Sequence, residues 1–396
     1  MPAKPIYMDH NASTPVDPRV VEAMLPCLTE HFGNPASNTH AYGWAAAKLV
    51  ENARQSLAAA VGARPDEVVF TSGATESNNL AIKGGAWARA DRGRRLVTVA
   101  TEHKAVLDPC ARLARDGWDV NVLPVDGHGR VDPGRFAAAL VPGTVLASVM
   151  LANNEIGTLQ PIAELAAICR ERRVLLHCDA TQALGKVPLD VGALGADLWS
   201  FSAHKVYGPK GVGMLVVRRA SPRLRLVPLL DGGGHEDGQR SGTLNTPGIV
   251  GFARAAEIAV AELSAEVERL TGLRARLSEG ILALLPGVIE NGHPTERLPN
   301  TLNLSFEGVD GGALLVALSR VAVSSGSACT SAEPRPSHVL AAIGRSKALA
   351  AASLRFSLGR GTSEGEVDEV VEAVAREVER LRERSPLWKN RGEGEG

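Results

Sequence analysis

Val174–Asp179 reads VLLHCD, an apolar run of strand length that closes on a carboxylate. The stretch before it, IAELAAICRER at Ile162–Arg172, has the pattern of an amphipathic helix. The same pairing recurs on both sides. VVF (Val68–Phe70) leads into a helix expected from about Thr75, and LVTVA (Leu96–Ala100) into one from about Lys104. VLASVML (Val145–Leu151), DLWSFS (Asp197–Ser202) and GMLVVRR (Gly213–Arg219) continue the series. Strands and helices in alternation predict an α/β fold, a mostly parallel sheet with helices on both faces. Ligands of such sheets sit at the carboxyl ends of the strands. The residues just past each apolar run are therefore where chemistry is to be sought.

The pattern changes at DGGGHEDGQRSGT (Asp231–Thr243), a Gly-rich polar connection. A long helical stretch is expected from there to about Leu285, with a stripe of Leu263, Val267, Leu270, Leu277 and Ile281. A smaller α/β unit begins with TLNLSF (Thr301–Phe306). The last helix starts at a capping box, Ser363 with Glu366, and its stripe of Val367, Val370, Val371, Val374, Val378 and Leu381 reads as core packing. At 396 residues the chain exceeds the usual size of one domain.

Bulk properties exclude several classes. Lys plus Arg number 43 against 44 Asp plus Glu, so no electrostatic argument favours nucleic acid or an anionic membrane. The five cysteines, Cys27, Cys110, Cys169, Cys178 and Cys329, are odd in number and form no C-x-x-C, which argues against a disulfide framework and a zinc site. A reducing cytosol, and hence a cytoplasmic location, is expected. MPAKPIYMDHNASTP lacks the apolar region of a secretory leader, and no apolar run is long enough to span a bilayer. His235 and Glu236 lack a third ligand, so no metal is expected.

Three strand ends are unusually polar. After Phe70 comes TSGATESNN, where Gly73, Ala74 and Thr75 mark a strand-to-helix turn whose amides suit a phosphate. No G-x-x-x-x-G-K-[ST] is present. HCDATQ places Asp179 at the end of a buried run, where a carboxylate needs a cation or strong donor. SFSAHKVYGPKGVG places Lys205 after the next run, beside Ser202 and His204. Each alone reads as an ordinary cap or surface charge. Together they match what pyridoxal phosphate requires: a phosphate seat, an acid facing the pyridine nitrogen, and a lysine.

With FTSGATESNNLAIKG, TEHKAVLD, NNEIG, DATQALGK, SFSAHKVYGPKGVG, GGGHEDGQRSGT, SSGSACTS and LRFSLGR in one order from Asp9 to about Trp388, the chain resembles the cysteine desulfurases. These are members of the class-V aminotransferase branch of fold-type I pyridoxal phosphate enzymes. The resemblance implies a large cofactor-binding domain over 15–261. It implies a small α/β domain from 1–14 and 262–396 that carries the cysteine loop at about 324–336. Lys205 would be the Schiff-base lysine and the base at Cα. Asp179 would face the ring nitrogen and Gln182 the ring hydroxyl, and His103 would stack on the ring and assist proton transfer. Ala74, Thr75, Ser202 and His204 would hold the phosphate. Thr243 would reach the partner subunit's phosphate, which implies a homodimer. Asn154, also beside the cofactor, and Arg355 would hold the substrate carboxylate.

The resemblance further implies that L-cysteine is converted to L-alanine, with sulfur taken as a persulfide on Cys329 and passed to an acceptor protein, such as an iron–sulfur scaffold. The small residues around Cys329 in SSGSACTS suit a thiol that must reach both substrate and acceptor. The other four cysteines read as structural. Two departures stand out. Ala203 replaces a glycine frequent before the histidine, and its methyl is expected to be tolerated while tightening the phosphate site. The tail after Trp388 is short and built of Gly and Glu, where a longer tail in relatives helps dock the scaffold, so that contact is in doubt here. The alternatives are a conventional aminotransferase, a selenocysteine lyase and a non-catalytic sulfur-trafficking scaffold.

Overall fold

The computed structural model describes residues 4–219, 224–325 and 337–389. Seven strands form the central sheet: β1 Val68–Thr71, β2 Arg95–Val99, β3 Asp119–Leu123, β4 Thr144–Ser148, β5 Leu175–Asp179, β6 Leu198–Ser202 and β7 Gly213–Val217. Their order is β1-β7-β6-β5-β4-β2-β3. All neighbours are parallel except β7, which runs antiparallel to both β1 and β6. The ends of β1, β5 and β6 therefore lie along one edge, with Gly213 of β7 opposite both Thr71 and Ser202. The expected mostly parallel α/β sheet is thus present.

Helices α1 (Pro18–Thr29), α2 (Ala41–Val61), α3 (Lys104–Arg115), α4 (Ile162–Arg172) and α5 (Thr246–Ala261) belong to this body. α1 and α2 both pack on α5. The sheet's centre strands are wholly buried, which explains their near-continuous apolar runs. His177 of β5 is one of the few polar residues in these runs. It is buried and bonded to Ser148 Oγ at 2.8 Å and Ser200 Oγ at 2.9 Å, on the strands either side. Burial pushes its pKa down to about 4, so a neutral ring joins three strands.

The stretch expected as one helix to Leu285 is two, α5 and α6 (Leu263–Leu284), which meet at Glu262. That residue's carboxylate receives Arg19 at 2.7 Å and Arg360 at 3.4 Å. A four-stranded antiparallel sheet follows: β8 Val288–Asn291, β9 Thr301–Phe306, β10 Ser324–Ser325 and β11 Ser353–Ser357, in the order β10-β11-β9-β8. Leu270, Leu277 and Ile281 of α6 and the valine stripe of α7 (Glu364–Glu383) bury against it. The capping box at Ser363 and Glu366 starts α7 as read. Met8 joins this second core. Ile6–Tyr7 pairs parallel with Val321–Ala322, and the chain then crosses to the large sheet at Asn11. No helix among the described residues is long and apolar enough to cross a membrane. Among them no group of three or more His, Cys, Asp or Glu could hold a metal ion.

Candidate active site

A cavity of about 500 Å³ opens at the strand-end edge. Its first wall is the turn after β1. Helical segments run without a break through Ala74–Asn79, a π-helical turn at Leu80–Gly84, and Gly85–Trp87. Gly73 precedes them at φ +151°, a conformation that favours glycine. A Cβ on Gly213 would stand 2.6 Å from Gly73 Cα, so two glycines bring this turn against β7. Ala74 and Thr75 line the cavity at the helix start, and Ser202 at the end of β6 faces them.

Asp179 closes β5 and is 5% exposed. Its carboxylate accepts from Asn78 Nδ2 at 2.7 Å and from the Thr181 N–H at 3.0 Å. Both donors are neutral, and no cationic side chain pairs with it among the described residues. A buried carboxylate in that state is well matched to a protonated ring nitrogen. Lys205 sits on the 3₁₀ turn Ala203–Lys205 directly after β6. Its Nζ donates to the carbonyl oxygens of Asn11 at 2.6 Å and Ala12 at 2.8 Å. Gln182, buried, donates through Nε2 to the same Asn11 oxygen at 2.9 Å.

His103 caps the N-terminus of α3, and its Nδ1 accepts the Ala105 N–H at 3.1 Å. The proton of the neutral ring therefore lies on Nε2. Burial holds its pKa below the usual histidine value. Burial, then Lys205, Lys210 and Lys186, push His204 down to about 4. Both rings thus line the cavity as neutral hydrogen-bonding groups. Lys205, Lys210 and Arg355 outnumber the carboxylates Glu76 and Asp179 in the lining, a cationic excess that suits an anionic cofactor and a carboxylate substrate.

Arg355 lies on β11 and is 4% exposed. Its Nη2 donates to Asp9 Oδ1 at 2.6 Å and to Ser324 Oγ at 2.9 Å, and its Nη1 to the Asn154 carbonyl at 3.0 Å. Asn153 places that carbonyl: its Oδ1 accepts the N–H groups of Glu155 at 2.8 Å and Ile156 at 2.9 Å, turning the NNEIG segment back on itself. The small sheet thus delivers a fixed guanidinium to a cavity otherwise built by the large one.

Ala74, Thr75, His103, Asn154, Asp179, Gln182, Ser202, His204, Lys205 and Arg355 all line this cavity. Thr243 does not. It is exposed on the connection before α5. Cys329 lies outside the described residues, as does nearly all of the loop read as 324–336. The expectation for Ala203 is corrected. It is fully buried, does not line the cavity, and packs at Gly208, where a Cβ would stand 2.8 Å from its own. Its methyl tightens the packing against Gly208 and not the cavity wall.

Sequence reading missed Asp9, Asn11 and Asn78. Asp9 and Asn11 stand in DHNAST, a polar run to which the sequence assigned no site role. Their side-chain partners lie 143 to 346 residues away, so the only local signal was an acid and an amide two positions apart. Asn78 stands within TESNN and was passed over because helix periodicity does not show which face meets β5.

The residues present fit pyridoxal phosphate: a glycine-built turn, a buried acid without a cation, and a lysine within one cationic cavity. Residues 6–370 match the family model Aminotransferase class-V. A cysteine desulfurase IscS of Anaeromyxobacter sp. (strain Fw109-5) is 56% identical over 390 residues, covering 98% of this chain and 96% of the relative. A cysteine desulfurase of Homo sapiens is 52% identical over 385 residues, covering 97% and 84%. A solved structure of a NifS-like protein superposes with a TM-score of 0.88 at 39% identity, covering 95% of this chain and 100% of the other. The chain belongs to the class-V aminotransferase family, and these near-full-length relatives bear the name cysteine desulfurase.

Proposed function

We propose that this chain is a pyridoxal phosphate-dependent cysteine desulfurase that converts L-cysteine to L-alanine and holds the sulfur on Cys329. The observation that carries the reading is the meeting of Asp179, Lys205 and Arg355 in one cavity, from two different sheets. Relatives named cysteine desulfurase at 52–56% identity support it.

Asp179 would hold the ring nitrogen, Gln182 the ring oxygen, and Ala74, Thr75, Ser202 and His204 the phosphate. When bound, the cofactor supplies an electron sink for charge developing at the substrate Cα. Arg355 pairs with the substrate carboxylate, a role suited to a guanidinium already fixed by Asp9, Ser324 and the Asn154 carbonyl. Lys205 Nζ, at the cavity wall, would take the Cα proton. His103, with its proton on Nε2, returns protons on the cavity side. The Cys329 thiolate then attacks the substrate sulfur. An S–S bond forms as the Cβ–S bond breaks, and the electron pair goes to the carbon, which is protonated to give alanine. Cys329 lies outside the described residues, and its role follows the resemblance of SSGSACTS.

The finer points belong to the same proposal. The acceptor is an iron–sulfur scaffold protein, as the relatives' name IscS favours. The enzyme is a homodimer in which Thr243 reaches the partner's site. That is supported by its exposure outside its own cavity's lining and by the exposed apolar side chains Leu25, Leu28, Phe32, Tyr42 and Trp44, of which Phe32 and Tyr42 touch. The compartment is the cytosol. The domains divide as 15–261 against 1–14 with 262–396, in keeping with the two apolar cores.

The test is product analysis on purified yellow protein with L-cysteine and a thiol reductant. Alanine and sulfide should appear in equal amounts, and faster than alanine from L-selenocysteine. Selenocysteine turnover alone would move the reading to a lyase. No turnover from protein that holds its cofactor would move it to a scaffold.

A further inference from the structure

Lys186 has no part in the chemistry above. Its side chain is buried, four residues past Gln182, and Nζ donates to Gln182 Oε1 at 2.6 Å and to Asn11 Oδ1 at 3.3 Å. Among the described residues no carboxylate pairs with it. An ammonium carries donors only, so the atoms that face it must be the amide oxygens. That fixes both amides. Asn11 turns its NH₂ to Thr301 Oγ1 at 2.8 Å and to the Asn154 carbonyl at 3.2 Å. Gln182 turns its NH₂ to the Asn11 carbonyl, which also receives Lys205 Nζ. The amide NH₂ of Gln182 and the Lys205 ammonium thus converge on one oxygen at the cavity wall. The second N–H of Gln182 is left for an acceptor inside it.

We propose that Lys186 is a positioning residue that holds Gln182 as an obligatory hydrogen-bond donor to an anionic ring oxygen of the bound cofactor. This rests on the reading that pyridoxal phosphate is carried on Lys205. Without Lys186 the amide of Gln182 is free to turn over, and half of its orientations set oxygen against oxygen. The electrostatics agree. Burial, then Lys205 and Arg355, push the Lys186 pKa down to about 7, so its charge is costly unless an anion lies close by. His10 and His204 also face it, and both are pushed down to about 4. His103, which faces Lys205, is likewise lowered. None of the three histidines gains charge above neutral pH.

The experiment is a visible-absorbance pH titration of purified holoenzyme, wild type against Lys186→Met. Loss of the cation and of the fixed donor leaves the ring oxygen less stabilised, so it keeps the neighbouring proton to higher pH. The midpoint of the yellow band should rise by roughly half a unit or more. In a Gln182→Ala background the same substitution should add a much smaller shift, because no amide remains to be oriented. Yellow Lys186→Met protein with the wild-type midpoint would overturn the proposal. If that variant does not fold or keep its cofactor, Lys186→Gln takes its place with the same expected direction. Loss of cofactor from both would show that Lys186 serves retention and not orientation, and would equally overturn it. Colourless wild-type protein would instead refute the cofactor reading on which the proposal stands.

Discussion

Lys205→Ala protein should lose the yellow of the holoenzyme and release alanine from L-cysteine more slowly by roughly 10³-fold or more, the scale of a lost general base. The expectation follows from place and chemistry together. Lys205 stands on the turn after β6, with its Nζ held by two backbone carbonyls at the cavity wall. Neither neighbouring lysine can substitute for it in position. Lys186 is turned to Gln182 and Asn11, and Lys210 is exposed at the rim. The fold should survive, because loss of Nζ leaves two carbonyls that the cavity can hydrate. Alanine release and absorbance are the two readouts. Wild-type release from colourless protein would separate the chemistry from the lysine and sink its assignment.

The second large effect is expected at Asp179. Asp179→Asn keeps shape and removes the charge; its one amide oxygen can still accept the Thr181 N–H, and its NH₂ would meet Asn78, whose unpartnered Oδ1 can turn to accept it. A protonated ring nitrogen would then have no anion to stabilise it, and the electron sink would weaken. Turnover should fall by roughly 10² to 10³, in line with the loss of a preorganised electrostatic partner. The melting temperature should hold or rise, since a buried carboxylate met only by neutral donors is a cost to the folded state. Kinetics with cofactor occupancy measured alongside checks it. An unchanged rate at full occupancy would mean that the acid faces something other than the ring.

The strand-ending polar residues were legible because parallel sheets put strand length, apolar content and function at one edge. VLLHCD announces both β5 and Asp179. Lys205 followed from DLWSFS by the same logic, and Ala74 with Thr75 from the glycine that turns the chain after β1. What stayed hidden is long-range or marginal. β3 reads DVNVL, an edge strand whose outer residues remain half-exposed, so it carries no continuous apolar run. β8 reads VIEN, too short and too polar to stand out. The break at Glu262 shows only when Arg19 and Arg360 arrive from distant segments. The Asp9–Arg355 pair spans 346 residues, and no local pattern could join its ends. Resemblance to a family named Arg355, whereas only the structure shows the anchors that hold it.

The central claim is that sulfur leaves L-cysteine for Cys329. The most direct measurement is the intact mass of the protein, with alanine quantified, after one turnover of L-cysteine without reductant. One alanine per subunit is expected, with a mass gain of one sulfur atom mapped to Cys329 and no gain in Cys329→Ala protein. Alanine formed with no sulfur on the protein, or with sulfur on another cysteine, would contradict it.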